Sequence, residues 1–533
     1  MHALKMKVAD PPACVLHEDE HILAVDKPAG LNTHSPSPYA GEGIYDWLRN
    51  REPRWASLAI IHRLDKATSG VMVFAKTKIA NASLTRQFTD RKVQKSYVFL
   101  TGQPPKQREF TVACHLMRQG EKYVPVRRGE FAETAFRYQG EHRGAHVWLA
   151  EPRTGRTHQI RVQAQMQGIS ILGDALYGGR EFPRLCLHAW EISFAHPASG
   201  ENISLRSEVD FFANPALLLR AAVIDPLATS AYRLSNGAAD GLPHFYLDKW
   251  GLYLLSSRDG PPQPSPALSL RRFPGIAAIY HKSLERTLQK SSPAETAPVL
   301  VEGESAPDNF VISENGVRFE ISFRQGYSTG LFLDQRENRR RLMRNYIAPG
   351  FELFADSLNE KEVLNCFAYT CGFSVCAALG GARTTSLDLS RKYLDWGKRN
   401  FMLNGIELAA HGFIHGDVFD WAPRLARKGR QFDAILLDPP TFSHAKGGGA
   451  FQAERDYGRL ITTMLPLLKT NGVLFASCNA AKLSPEKFVH QVSAALACGG
   501  RREVQRHYVP QPIDFPITRE DPAYLKTIWL RVQ

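Results

Sequence analysis

"EVLNCFAYTCGFSVCAALGG", residues 362–381, has the order of a buried strand, a loop and a short helix closed by glycines. The alternation continues outward from it. "TTSLDLS" (384–390) reads as a strand ending in an acid, and "RKYLDWGKRNFMLNG" (391–405) as an amphipathic helix stopped by Asn-Gly. "FIHGD" (413–417) and "FDAILLDPP" (432–440) are further strands ending in acids, and "NGVLFASCN" (471–479) is one more. Strands separated by helices in this order predict a parallel, doubly wound sheet. Such sheets hold ligands at the carboxyl ends of their strands, where Asp388, Asp417 and Asp438 fall. Gly372 would let the loop backbone approach a ligand, and Asp388 is placed to accept hydrogen bonds from ribose hydroxyls. Glycine is sparse in this loop, so the spacing alone equally allows a structural turn.

Toward the amino end the pattern changes. "VLHEDEHILAV" (15–25) reads as two short strands around an acidic turn, and "DKPAGLNTH" (26–34) as a Pro-Gly loop. "AIIHRLD" (59–65) and "GVMVFAK" (70–76) are β-rich, "NASLTRQFTDR" (81–91) is helical in pattern, and "KSYVFLTG" (95–102) is strand-like. The first ~200 residues thus predict mixed α+β structure, and the helix in "SEVDFFANPALLLRAAVIDP" (207–226) a link to the carboxyl-terminal half of the chain. "DGPPQPSPALS" (259–269) and "SSPAETAPVLVEGESAP" (291–307) read as loops.

The chain has 533 residues, enough for two or three domains. No run reaches the ~18 apolar residues of a membrane helix, and no signal-peptide pattern stands at the start, so a cytoplasmic protein without membrane contact is expected. The eight cysteines form no CxxC pair and no zinc-ligand cluster, so no metal is expected and the thiols read as buried hydrophobes. A net charge of +13 suits a phosphate-rich partner, although a solvated basic surface would give the same number.

Chemistry concentrates in two amino-terminal stretches. "IHRLDKATSG" (61–70) sets Asp65 behind His62 and Arg63 at what reads as a strand end. "RTGRTHQIRVQAQMQGISILGDALYGG" (153–179) is dense in donors. Read as a strand, "HQIRV" places His158, Ile160 and Val162 on one face, with Gln159 and Arg161 on the other. A buried Arg161 would need a carboxylate, and Asp65 is the natural partner, held ionised by the pair. An ordinary salt bridge would read the same way.

These two stretches, with "VDKPAG" (25–30), "QKSYVFL" (94–100) and "LCLHAWEISFAHP" (185–197), closely resemble the RluA family of pseudouridine synthases. The resemblance implies that Asp65 is the catalytic carboxylate at the ribose and that Tyr97 relays the carbon-5 proton. It implies that Arg161 pairs with Asp65 and that Arg63 enters the base stack vacated by a flipped uridine. Arg156 and His158 would contact RNA. "QAQMQ" (163–167) departs from the family's His-containing run, which bears on RNA contacts more than on chemistry.

"GYSTGLFLDQRENRR" (326–340), the 362–381 stretch, "LDLS", "HGDVFDW" and "FDAILLDPPTFS" resemble the RlmI/RlmK-like ribosomal RNA methyltransferases, which use S-adenosylmethionine on a Rossmann-like sheet. "AYRLSNGAADGLPHFYLDKWG" (231–251) resembles their small preceding domain. By this resemblance Phe367, Tyr369 and Gly372 line the methionine and ribose, Asp388 holds the ribose and Asp417 faces the adenine. Asp438-Pro439-Pro440 would lie between methyl donor and target base, and Phe442 would stack on that base or pack in the core. The implied architecture is multidomain: an α+β pseudouridine synthase domain (1–205), a linker with a small α+β domain (206–325) and an α/β methyltransferase domain (326–533). The implied partner is RNA, ribosomal first and transfer RNA second, with no obligate protein partner.

The methylated atom is left between two readings. Cytosine C5 needs a thiolate to add at carbon 6, and Cys478 sits at a strand end where the cytosine-type members carry a Ser-Cys-Ser run. Asn479 breaks that run, and "DPPTFSHAKGG" (438–448) looks more like the guanine-N7 branch. The reading favours cytosine C5, with guanine N7 as the alternative. A non-catalytic RNA-binding or ribosome-assembly factor is the competing class.

Overall fold

The computed structural model describes residues 11–258, 268–284, 296–326, 328–444, 450–518 and 521–533. The chain divides into two compact units, with the break between Ile224 and Asp225; residues 36–41 and 50–56 group with the second unit.

The first unit is built on one eleven-stranded sheet. The expected strands form at Val15–Glu18, Ile22–Lys27, Ser69–Ala75 and Gln94–Thr101. Leu187–Ala195 lies at the centre, parallel to Ser69–Ala75 and antiparallel to Gln94–Thr101. Gly70 makes the parallel junction possible: its φ is +120°, and a Cβ there would fall 2.3 Å from the Ala189 carbonyl oxygen. The helix Lys78–Thr89 starts on Thr77, whose hydroxyl accepts from the Ala80 amide.

Two readings are corrected in this unit. Only Ala59–Ile60 of "AIIHRLD" is a strand. Beyond it the Thr33 hydroxyl donates to the Leu64 carbonyl and accepts from the Leu64 amide, replacing a neighbouring strand, so Asp65 sits on a loop. "HQIRV" is not a strand either: Gln159–Met166 is a helix, with His158 at its N-cap in a left-handed conformation, φ 57°.

In the second unit, five strands from Ala231–Asn236 to Val299–Gly303 form the small domain's sheet. Val299–Gly303 falls inside the stretch read as a loop; its outer position in the sheet leaves Val299 56% exposed, a weak apolar signal in a Pro- and Ser-rich context. Residues 259–267 and 285–295 lie outside the described residues.

The seven-stranded sheet runs in the order Gly412–His415, Arg383–Asp388, Glu362–Cys366, Phe432–Leu437, Leu468–Cys478, Lys526–Val532, Glu503–Val509. The first five strands are parallel and Lys526–Val532 is antiparallel. The strand order reverses between Glu362–Cys366 and Phe432–Leu437, so their carboxyl ends open the crevice where such sheets bind ligands. Val363, Leu364, Ala434, Ile435, Leu436 and Leu437 are fully buried, because helices cover both faces.

Candidate active sites

In the first unit the loop carries Asp65 to a position 30% exposed and 3.7 Å from two partners. Arg161 Nη1 and His158 Nε2 each stand at that distance from Asp65 Oδ2. His158 and Arg161 are three residues apart at the start of one helix, so both point the same way. The expected pair is therefore present, but it is not Arg161's main bond. Arg161 Nε and Nη2 donate to Asp174 Oδ2 and Oδ1, both at 2.7 Å, and Asp174 is fully buried. A guanidinium has two donor edges. Asp174 fixes one, and the remaining Nη1 is presented to Asp65.

Tyr97 and Lys27 complete this site. Burial, reinforced by the Asp65 charge, pushes the Tyr97 phenol above its usual range, so it stays protonated at neutral pH. Lys27 Nζ is buried and donates to the carbonyls of Pro28, Leu31 and Lys66 at 2.9, 2.8 and 3.3 Å. The last bond ties down the residue after Asp65. Burial brings the Lys27 ammonium down to about 7, although Asp65 pulls it the other way.

Arg63 is exposed, free to enter a base stack. Arg156 is partly committed, with Nη1 3.1 Å from Glu130 and Nε donating to the Phe131 carbonyl. His158, read as an RNA contact, lies instead against Tyr177, its Nδ1 2.9 Å from the hydroxyl. Burial lowers its pKa against the pull of Asp65, which favours the neutral ring.

In the second unit the loop after Glu362–Cys366 takes left-handed backbone at Phe367, Tyr369 and Cys371 (φ 58°, 49° and 62°). This folds it back over the next strand end. Asp388 Oδ2 accepts from the Tyr369 amide and Oδ1 from the Ser390 amide, both at 2.8 Å. Burial raises the Asp388 carboxyl's pKa, and these bonds work against the rise. Each oxygen keeps a lone pair, the acceptor set a ribose diol needs, so the residues fit an adenosyl group. Asp417 caps the next helix, accepting from the Phe419 amide at 2.7 Å. Tyr369 stacks edge-on to Tyr393, with ring centroids 4.6 Å apart.

Gly372 stands in close packing. A Cβ there would meet Leu331 Cδ1 at 3.1 Å and Arg339 Cδ at 3.4 Å. The missing side chain thus gives Leu331 and Arg339 room to pack.

Asp438 is held by Gln335, whose Nε2 donates to Oδ1 at 3.2 Å and accompanies a 2.8 Å contact to Ser477 Oγ. Burial pushes the Asp438 carboxyl up to about 6, against the Ser477 hydrogen bond. Phe442 is 53% exposed and so is not a core residue.

Cys478 does not present itself as a nucleophile. Side chains alternate along a strand; Ser477 faces Gln335 and the Asp438 side, so Cys478 turns into the apolar cluster with Leu437, Ala480 and Ile528. It is 0% exposed, and burial raises its thiol pKa, with Lys526 pulling the other way. Asn479 Oδ1 accepts from the Thr441 hydroxyl at 2.6 Å, making it a strut for the Asp-Pro-Pro-Thr loop. Residues 445–448 of that stretch lie outside the described residues.

Lys27, Asp174, Tyr177 and Gln335 were given no role in the sequence reading. Their signals were present but unread: "VDKPAG", "ILGDALYG" and "FLDQR" each set a polar residue among apolar or small neighbours. Asp388→Ala is expected to raise the dissociation constant for S-adenosylmethionine by about 10–100-fold in titration calorimetry, from lost charged hydrogen bonds. Among the described residues no helix is long and apolar enough to cross a membrane.

A family model for RNA pseudouridylate synthases matches residues 21–166, and one for S-adenosylmethionine-dependent methyltransferases matches residues 262–531. A ribosomal RNA large subunit methyltransferase of Deinococcus radiodurans is 34% identical over 330 residues, covering 60% of this chain and 77% of the relative. Ribosomal RNA large subunit methyltransferase I of Klebsiella pneumoniae is 32% identical over 322 residues, covering 59% and 76%. The solved structure of human RNA pseudouridylate synthase domain containing 4 is 25% identical, covers 37% of this chain and 88% of its own, and superposes with a TM-score of 0.31. The chain belongs to the S-adenosylmethionine-dependent methyltransferase family, and it carries an RNA pseudouridylate synthase domain ahead of the methyltransferase domain.

Proposed function

We propose that this enzyme makes two different marks on large-subunit ribosomal RNA: it isomerises a uridine and methylates a base. The observation that carries the first activity is the accessible Asp65 carboxylate facing the one free edge of a guanidinium clamped by Asp174. Asp65 acts at the ribose of a flipped uridine while the base detaches and turns over. Tyr97, protonated at neutral pH and near enough to feel the Asp65 charge, exchanges the carbon-5 proton. Arg63 fills the gap left in the stack.

S-adenosylmethionine supplies the methyl group in the second activity. Asp388 orients the ribose of the cofactor, Asp417 lies toward the adenine, and Phe367 and Tyr369 wall the loop between them. The Asp438-Pro439-Pro440 step and the exposed Phe442 receive the target base. Arginine and lysine outnumber acids by 66 to 53, which favours a phosphate-rich substrate for both activities.

Guanine N7 is the better reading of the methylated atom. N7 carries its own lone pair and needs no enzyme nucleophile, whereas cytosine C5 needs a thiolate presented to carbon 6. The burial of Cys478 and the engagement of Asn479 favour N7. Cys478→Ser is expected to keep the methylation rate within about threefold of the parent, as a small polar swap in a core does when chemistry is untouched. Complete loss of methylation, or a covalent complex with 5-fluorocytosine RNA, would establish the cytosine reading instead. The pair of activities is tested by incubating the purified chain with unmodified ribosomal RNA, with and without S-adenosylmethionine. Nucleoside mass spectrometry should detect pseudouridine in both samples and a methylated base only in the first.

A further inference from the structure

We infer that His158 is a second positioning residue for Asp65, locked by Tyr177 into the tautomer that carries its proton on Nε2 and aims it at Asp65 Oδ2. This role rests on the pseudouridine reading of the first unit. The Tyr177 hydroxyl has two neighbours, the Tyr123 amide at 2.7 Å and His158 Nδ1 at 2.9 Å. The amide can only donate, so it occupies a lone pair of the hydroxyl. The hydroxyl hydrogen then goes to His158 Nδ1, its remaining acceptor among the described residues. A neutral imidazole that accepts at Nδ1 carries its hydrogen at Nε2. The other tautomer would set the Nε2 lone pair against the Asp65 carboxylate and leave the tyrosine hydrogen unused.

The surroundings hold this geometry. The His158 ring meets the rings of Tyr123 and Tyr177 edge-on, each at 5.6 Å between centroids. Tyr177 also lies 5.0 Å beneath the Arg161 guanidinium, so one side chain braces both partners of Asp65. His158 keeps a left-handed backbone that side chains other than glycine rarely adopt, and such conformations persist where the surroundings enforce them. Both partners approach Oδ2, each at 3.7 Å. The pair converges on that oxygen and so sets the direction in which the carboxylate faces. Catalytic contacts of this length commonly tighten when substrate binds.

The test measures kcat and KM for pseudouridine formation by the full chain on its RNA. His158→Ala and His158→Asn should lower kcat by about 10–100-fold, the range for a lost hydrogen bond to a charged group, with KM within about twofold. Asn suits the left-handed backbone but does not reach, so it separates the donor from the backbone. His158→Gln, whose amide reaches the Nε2 position, should recover activity to within about threefold of the parent. Tyr177→Phe should lower kcat by about 5–10-fold in the parent and add nothing in the His158→Gln background, where no tautomer remains to be set. The role is overturned by parent-like kcat in His158→Ala, by His158→Gln as slow as His158→Ala, or by an equal Tyr177→Phe loss in both backgrounds. A parent chain that makes no pseudouridine on any ribosomal or transfer RNA removes the reading of the unit itself, and this role with it.

Discussion

Replacing Asp65 by Asn is expected to reduce pseudouridine formation by about 10³-fold or more, with KM for RNA nearly unchanged and methyl transfer at the parental rate. The substitution keeps the side chain's shape and removes its charge. Asp65 stands on a loop, 30% exposed, with no short hydrogen bond to lose, so the fold should not notice. The effect belongs to chemistry, because an amide can neither attack the sugar nor hold a developing positive charge on it. Single-turnover kinetics with a tritium-release readout separate this loss from binding. A rate within tenfold of the parent would remove Asp65 from the reaction.

Asp174→Ala is expected to lower the stability of the first unit by about 3–5 kcal/mol, because it strands a buried guanidinium. The two 2.7 Å bonds to Arg161 are lost together, as is the acceptor that caps Ala175–Tyr177. Activity should fall further than stability explains. An Arg161 released from Asp174 can turn its fork onto Asp65 and occupy both carboxylate oxygens. Denaturant unfolding gives the first quantity, and kcat at a temperature where the variant is fully folded gives the second. A stability within about 0.5 kcal/mol of the parent would show that Arg161 does not depend on Asp174.

The parallel sheet of the second unit was legible because its inner strands are buried on both faces and read as apolar runs, as in "FDAILLDPP". The acids at the strand ends follow from the same geometry. The helix Gln159–Met166 was not legible. Its Gln159 and Gln163 are buried polar residues that mimic the outward positions of a strand. Gln163 is satisfied inside the unit, donating to the carbonyls of Val112 and Ala132 and accepting from the Thr134 hydroxyl, partners far away in sequence. Asp174 was missed as the clamp of Arg161 because the more exposed Asp65 already offered a carboxylate for the same guanidinium. The surroundings of Cys478 were not legible because a strand end fixes height in the sheet but not which face a side chain takes. The contact of Ser477 with Gln335 decides that, and it joins residues 142 positions apart.

The central claim is that one chain performs two separable RNA modifications. Its most direct test is a strain with the gene disrupted and complemented by either the parent or the Asp65→Asn form. Pseudouridines and methylated bases are then mapped across the ribosomal RNA of each. Disruption should erase one pseudouridine and one methylated base, the parent should restore both, and Asp65→Asn should restore only the methylated base. Return of both marks with Asp65→Asn, or survival of both in the disrupted strain, would contradict it.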